Sequence, residues 1–376
     1  MRRASGRGVR DSAVVRVAVP FEQCWYEVPG GTARTTIDLA RALDERDDVE
    51  VVGVAARHRH PAPPAWRPPV PVRHLPLPRR LLHETWHALR WPDVEHVTGR
   101  VDLCHAVGGA IPDCRAPLVV TVHDLAFLHL PDLFSAQGRR FLRRALDLVR
   151  VHAAQVQVPS LATLEDCADH GIDRARLRHV PWGVTVTDPS PAQVAAAVAR
   201  FGLPERYVVC VGTIEPRKNL RGLLEAWQRL ARSDVGLVLV GPSGWGDVPE
   251  GSTLPPNVSM TGFVDVEVRD ALYRGALASC YPSLFEGFGL PVLESMALGC
   301  PVVTSTGTAT EELVVAGGGV AVDPRDPDAI AAALAALLDD DAHRMALSRA
   351  GAASAAAYRW DRAADLAVAG YREVLA

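Results

Sequence analysis

Lysine is almost missing from this chain: Lys218 is the single lysine among 40 basic residues, so any chemistry built on a lysine imine has one candidate side chain. No stretch approaches the ~20 apolar residues that a membrane-spanning helix needs. The N-terminal lead MRRASGRGVRDSAVVRVAVP has only a short apolar run, broken by Arg16. That is too short for a signal-peptide core, and it reads as a loose tail followed by a first strand. The seven cysteines (Cys24, Cys104, Cys114, Cys167, Cys210, Cys280, Cys300) are odd in number, scattered, and never form a CxxC pair. Their spacing argues against a disulfide framework or a zinc site and for a reducing cytoplasm. A basic surplus is absent too. With a formal net charge of −4 there is no global reason to expect nucleic acid as a partner.

What is present is globular. Hydrophobic residues make up 48% and charged residues 22%, and the 30 glycines and 29 prolines punctuate apolar runs without forming a repeat. At 376 residues the chain is comfortable for two domains. Short β-branched runs alternate with helical segments: strands at 14–20, 49–56, 103–108, 118–125 and 155–160, and helices near 32–46 and 136–154. After the turn-rich PWGVTVTDPSP (181–191) the pattern restarts, with strands at 207–213, 235–241, 257–262, 278–283 and 301–305 and helices at 220–232, 265–275 and 290–298. Alternation of this kind predicts parallel sheets covered by helices. The fold class expected is α/β, two Rossmann-like domains facing a cleft, divided as 1–185 and 186–358. Ligands should then sit at the carboxyl ends of strands. The proline- and tryptophan-rich stretch 57–98 reads as a long excursion with one helix, RLLHETWHALR.

Three strand-to-helix loops have the makings of a diphosphate site. In SLFEGFGLPVLESMALGCP (283–301) Glu286 is followed by Gly287 and Gly289, and Pro291 opens a helix whose exposed N–H groups and dipole favour an anion. Glu286 and Glu294 are carboxylates suited to accept hydrogen bonds from sugar hydroxyls. In VGTIEPRKNLRGLLEAW (211–227) the loop after Gly212 and Thr213 carries Glu215, Arg217 and Lys218, and Asn219 caps an amphipathic helix. Arginine suits bidentate phosphate contact and lysine supplies a point charge. In FEQCWYEVPGGTARTTIDLARAL (21–43) Gly30 and Gly31 precede a helix, although this is neither a GxGxxG fingerprint nor a P-loop. Taken singly, each glutamate, cation pair or glycine pair has an ordinary structural explanation as a helix-end or turn residue. His123 ends the apolar strand of VVTVHDLAF, where an imidazole can orient a hydroxyl or serve as a structural histidine.

Together these motifs resemble the family 4 retaining glycosyltransferases of the GT-B fold, in particular the bacterial mannosyltransferase-like branch with VGTIEPRKN and TVHDLAF segments. EGFGLPVLE matches that family's E-x7-E motif. The resemblance covers most of the chain, from 14–20 to the terminal helix 359–375. It implies that Glu286 contacts donor-sugar hydroxyls, Glu294 the ribose, and Arg217 and Lys218 the diphosphate. It further implies backbone contacts from Phe288, Gly289 and Leu290, approach of Gly30 and Gly31 to the phosphates, and His123 near the transferred sugar. The loop TGFVD (261–265), with Gly262, Phe263 and Val264, would line the base pocket, and the last helix, 359–376, would pack back on the first domain. No cofactor and no metal are implied, and no DxD stands at a comparable strand end. One departure is Thr213, where many relatives carry Arg directly after the glycine.

The resemblance implies retaining transfer of a hexose, mannose from GDP-mannose being the best guess, to a glycan, lipid-linked or small-molecule acceptor. Rival readings are a nucleotide-sugar epimerase, a phosphorylase needing a pyridoxal-phosphate lysine, and a two-lobed sugar-binding protein. Acceptor and oligomeric state stay open. The helix over 137–154 sets Arg139, Arg140, Arg143, Arg144 and Arg150 against Phe141, Leu142, Leu146 and Val149. Such a helix either lies on an anionic membrane, giving peripheral contact, or packs its stripe on a sheet. The few apolar residues favour packing.

Overall fold

The computed structural model describes residues 14–242, 254–255 and 257–376, so the expected N-terminal tail lies outside the described residues. The first sheet has seven strands, β1 (Val15–Pro20), β2 (Val49–Ala55), β3 (Val72–His74), β4 (Leu103–Ala106), β5 (Leu118–Thr121), β6 (Ala153–Val158) and β7 (Leu177–His179), in the order β3-β2-β1-β4-β5-β6-β7. Its connections carry α1 (Gly30–Asp44), α2 (Arg79–Leu89), α3 (Glu95–Thr98), α4 (Ala126–His129), α5 (Ala136–His152) and α6 (Leu161–Asp169). The second sheet has β8 (Tyr207–Val211), β9 (Gly236–Val240), β10 (Val258–Gly262), β11 (Ala278–Tyr281), β12 (Val302–Ser305) and β13 (Gly319–Val322), in the order β10-β9-β8-β11-β12-β13. Around it lie α7 (Pro191–Arg200), α8 (Leu220–Leu230), α9 (Val266–Gly275), α10 (Leu290–Ala297), α11 (Ala309–Val314), α12 (Pro327–Asp339) and α13 (Asp341–Ala355), and the chain ends in α14 (Trp360–Leu375). Neighbouring strands such as β1 and β2, or β8 and β9, run parallel in register. The architecture is two Rossmann-like parallel α/β sheets.

Local chemistry accounts for the second sheet. Strand residues alternate between faces: Val208 packs with Leu223, Trp227 and Leu334, whereas Tyr207, Val209 and Val211 pack with Leu272 and Leu298. Both faces of β8 are therefore covered by helices, as a parallel strand requires. The stripe expected on α8 is buried at Leu220, Leu223 and Trp227, and the Asn219 side chain accepts the Gly222 N–H at 3.3 Å, capping the helix. In each sheet the strand order reverses at one point, between β1 and β4 and between β8 and β11. Such switch points are where open parallel sheets hold ligands.

The excursion 57–98 differs from its expected form. Besides α2 it holds α3 and a strand, β3, paired with β2 through Gly53 and Val72. Three residues among prolines carry too little alternation to be seen in advance.

Two compact units can be described. The first comprises the described residues up to Thr121, Arg144–Gln157 and Ala364–Ala376. Within it α14 is held by Tyr371 on His105 Nδ1 (2.6 Å) and by Gln155 donating to the Gly370 carbonyl (3.1 Å). Gln157 donates to the Ala367 carbonyl at 3.3 Å. The second unit comprises Val122–Arg143 and the described residues of 158–363. Here His123 belongs with the second sheet, and it lies two residues beyond the end of β5 because pairing with β6 stops at Thr121.

Candidate active site

Two loops flank the switch point of the second sheet: 212–219 after β8 and 282–289 after β11. The first folds into a short 3-10 turn, Pro216–Lys218, and Asn219 takes the left-handed conformation at φ 56°. Asparagine tolerates that region better than most residues. Its Nδ2 donates to the carbonyls of Pro282 (3.2 Å) and Pro324 (2.6 Å), so one side chain caps α8 and ties three loops together.

This arrangement places Arg217 and Lys218 against Glu286. The guanidinium of Arg217 lies 3.0 Å from Glu286 Oε2 and 2.9 Å from Glu215 Oε1, and it donates to the Phe285 carbonyl at 2.9 Å. Lys218 Nζ donates to Glu286 Oε1 at 2.5 Å and to the Tyr281 hydroxyl, and sits 4.8 Å from the Tyr281 ring centroid. Tyr281 in turn donates to Glu286 Oε1 at 3.0 Å. Two cations thus converge on one carboxylate.

Burial and charge compete at these groups. Burial alone would raise the Glu286 carboxyl, but Arg217 and Lys218 outweigh it and bring it down to about 2. Burial would lower Arg217, yet Glu286, Asp124 and Glu215 hold it above its ordinary value. For Lys218, burial and the adjacent Arg217 prevail over Glu286, and its pKa is lowered. An anion arriving here would meet a buried, preorganised pair of cations, one of which gives up its proton more readily than an ordinary lysine.

Gly287 has no substitute. A Cβ there would lie 1.9 Å from the His123 carbonyl oxygen and 2.7 Å from the Asp124 side chain. The Gly287 carbonyl accepts from Ser160 Oγ at 2.7 Å and Thr163 Oγ1 at 3.0 Å. His123 is thereby set against the loop, its ring 5.0 Å from that of Trp182, which lies 5.1 Å from Phe288. Gly289 caps α10 at φ 105°, a Cβ there meeting Thr310 at 2.5 Å. The first N–H groups of α10, from Leu290 onward, begin behind it, where a helix has no internal acceptors to offer them. A pocket of about 150 Å³ opens beside Arg217, lined by Asp124, Ala126, Leu133, Phe134, Glu215 and Pro216. A larger cavity, about 390 Å³, includes Phe288 with Ser160, His179, Glu312 and Tyr358, and none of the charged triad.

The remaining candidates divide into three groups. Gly212 and Gly262 stand at neighbouring strand ends, joined through β9 by the Gly212 N–H to the Val240 carbonyl (2.9 Å) and the Gly241 N–H to the Gly262 carbonyl (3.0 Å). Thr213 is half-buried beside them, Val264 packs into the core under α9, and the Phe263 side chain is 62% exposed with Gly262 at φ 71°. Glu294 is buried on α10 and paired with Arg269, which also holds Asp270 at 2.7 Å. Burial would lower the Arg269 pKa, but Glu294 and Asp270 raise it. Gly30 and Gly31 belong to the first unit and form the first residues of α1, with open space where their Cβ atoms would be. Tyr281 and Arg269 were not anticipated. Tyr281 is an ordinary buried strand end in sequence, and Arg269 next to Asp270 reads as a solvated helix pair.

Comparison with known proteins places the chain in a family. The model of the family described as Glycosyl transferases group 1 matches residues 195–354, and that of Glycosyltransferase Family 4 matches residues 29–188. The chain is 31% identical over 312 residues to O-antigen chain mannosyltransferase B of Escherichia coli, covering 78% of each. It is 31% identical over 417 residues to D-inositol 3-phosphate glycosyltransferase of Geodermatophilus obscurus, covering 98% of this chain and 91% of that one. Among solved structures it is similar to sucrose-phosphate synthase from Thermosynechococcus elongatus, with TM-score 0.73, 23% identity, and 96% and 98% of the two chains covered. Anabaena HepE in complex with UDP-glucose matches with TM-score 0.71, 21% identity and the same coverage.

Proposed function

Because this chain belongs to the family 4 glycosyltransferases and is therefore a glycosyltransferase, we propose that it moves a hexose from a nucleotide-sugar to an acceptor hydroxyl with retention of configuration and without a metal. The observation that carries the reading is the convergence of Arg217 and Lys218 on Glu286 at the switch point of the second sheet. In the free chain the carboxylate occupies both cations. A donor diphosphate offers them competing oxygens, and Glu286 is then released to accept hydrogen bonds from sugar hydroxyls.

The anomeric carbon–phosphate oxygen bond breaks as the acceptor oxygen bonds to the same carbon from the same face. The acceptor proton passes to the leaving phosphate oxygen. Charge growing on the diphosphate is met by Arg217, Lys218 and the start of α10, preorganised donors that need not reorient. His123, fixed beside Gly287, lies near the transferred sugar, and Glu294 takes the ribose. Gly262, Phe263 and Val264 line the base.

Mannose is the sugar favoured by the mannosyltransferase relative, and GDP-mannose is the donor proposed to carry it. A second reading is a UDP-sugar donor with a small phosphorylated acceptor: the acceptor is favoured by the D-inositol 3-phosphate glycosyltransferase that matches over 98% of the chain, and the donor by the HepE structure in complex with UDP-glucose. Calorimetric titration of GDP, UDP and dTDP decides between them, run on the wild type and on Glu286→Ala and Lys218→Ala with transfer assayed alongside. GDP binding is expected to dominate, and both variants are expected to lose transfer by on the order of a hundredfold or more while staying folded. UDP binding without GDP binding overturns the donor, and near-wild-type turnover in Glu286→Ala overturns the site.

A further inference from the structure

Outside this site, one group of side chains has a ligand set with no assigned use. His129 ends α4, and Asp166 and His170 stand four residues apart at the end of α6, so they share one helical face. His129 Nε2 lies 2.8 Å from Asp166 Oδ1, and His170 Nδ1 lies 3.0 Å from the same oxygen. One ligand atom from each of the three lies within 4.8 Å of the others. Asp166 Oδ2 is buried and has no hydrogen-bond partner. The imidazoles cross edge to face with centroids 5.5 Å apart, and their side chains are 40% and 33% exposed, so the group opens to solvent.

We propose that His129, Asp166 and His170 bind one divalent transition-metal cation of the zinc class, with solvent completing the coordination. Two imidazole nitrogens and a carboxylate oxygen are borderline ligands of the kind Zn²⁺ prefers, and three protein ligands with an open position make a tetrahedral site. Bond lengths of roughly 2.0–2.2 Å to such ligands put their atoms about 3.3 Å apart in a tetrahedron. The two separations on Asp166 Oδ1 therefore need to open by only a few tenths of an ångström. His170 Nδ1 also lies 2.8 Å from the Asp166 carbonyl, a contact the cation would replace. The carboxylate offsets half of the dication's charge, which two neutral imidazoles alone would leave uncompensated. This departs from the expectation of no metal, which rested on the family resemblance together with the lack of cysteine pairs and of a DxD. The cation stands apart from the transfer chemistry, but not from its loop. His129 stacks on Phe285 with centroids 4.9 Å apart, and the Phe285 carbonyl accepts from Arg217.

The test is titration of the full chain with Zn²⁺ against a chromophoric chelator, and with Co²⁺ followed by absorbance. Wild type and the variants His129→Ala, His170→Ala and Asp166→Asn are compared. One equivalent is expected to bind saturably, with the visible d–d bands of a tetrahedral cation on nitrogen and oxygen ligands, and to raise the melting temperature. Each substitution is expected to weaken binding on the order of tenfold or more and to abolish the thermal shift. Circular dichroism of each variant without metal establishes that it is folded. Absence of saturable binding to the wild type overturns the site, as does equal affinity in folded variants. A strong thiolate-to-cobalt band overturns it too, because the cation would then sit on cysteine.

Discussion

At the scale of single residues the site is a charge balance. Lys218 is the member that titrates within reach of experiment, because burial and Arg217 both disfavour its charged form and lower its pKa below the ordinary 10.5. Above its folded pKa the lysine is neutral and one of the two anion contacts is lost. Affinity for a nucleoside diphosphate is therefore expected to fall as pH rises, starting below the ordinary lysine range. Calorimetry across that range checks this, and Lys218→Arg, whose charge persists, should remove the alkaline limb. A limb that survives in Lys218→Arg would assign it to another group. Arg217, Lys218 and Glu286 were legible in sequence because strand, glycine and helix signals bracket them and fix the strand end on which they sit. Tyr281 and Arg269 were not. Their roles come from which neighbours the sheet brings alongside, and spacing along the chain carries no trace of that.

At the scale of elements, strands and helices with strong contrast between apolar and polar positions were legible to within a few residues, as with α8 and β9. The misses share a cause. β3 and β7 are three residues long, and β13 follows a run of glycines. α12 and α13 are alanine-rich, so the 3.6-residue contrast is weak. The basic helix α5 bears on an ambiguity that sequence left standing. Its buried residues are Ala145, Leu146 and Val149, and Phe141 and Leu142 are half-buried, so no residue of the apolar stripe is fully exposed. Arg144 pairs with Glu84 at 3.2 Å and Arg150 with Asp147 at 2.7 Å, leaving Arg140 and Arg143 exposed. A membrane-binding helix needs a free apolar face as well as cations. Cosedimentation with anionic vesicles at low ionic strength is expected to leave the protein in the supernatant. Retention that Arg140→Glu with Arg143→Glu abolishes would reverse that conclusion and point to a lipid-linked acceptor.

At the scale of the whole molecule the two sheets were legible, since the strand–helix pattern restarts after residue 190, but the compact units were not. Residues 122–143 fall in the second unit because contacts such as Gly287 on the His123 carbonyl put them there, and composition carries no sign of it. Likewise the first unit is finished by α14, whose Tyr371 is fully buried on His105. Tyr371→Ala removes a large core side chain and its hydrogen bond to His105 Nδ1, a loss of about 3–5 kcal/mol. Chemical denaturation is expected to split into two transitions, the first unit melting early while nucleotide binding by the second persists. A single transition with an unchanged midpoint would mean α14 contributes little.

The same helix sets a schedule for synthesis. Strands β1 to β5 leave the ribosome first, yet His105 waits 266 residues for Tyr371 and Gln155 waits 215 for Gly370. The second unit, whose last residue is Ala363, has been synthesised in full before residues 364–376 of the first have been added. The half of the enzyme that is born first is thus the half that matures last. Until α14 has emerged, the unfinished face of the first unit is the surface on which a nascent molecule is open to a chaperone or to a neighbouring copy of itself.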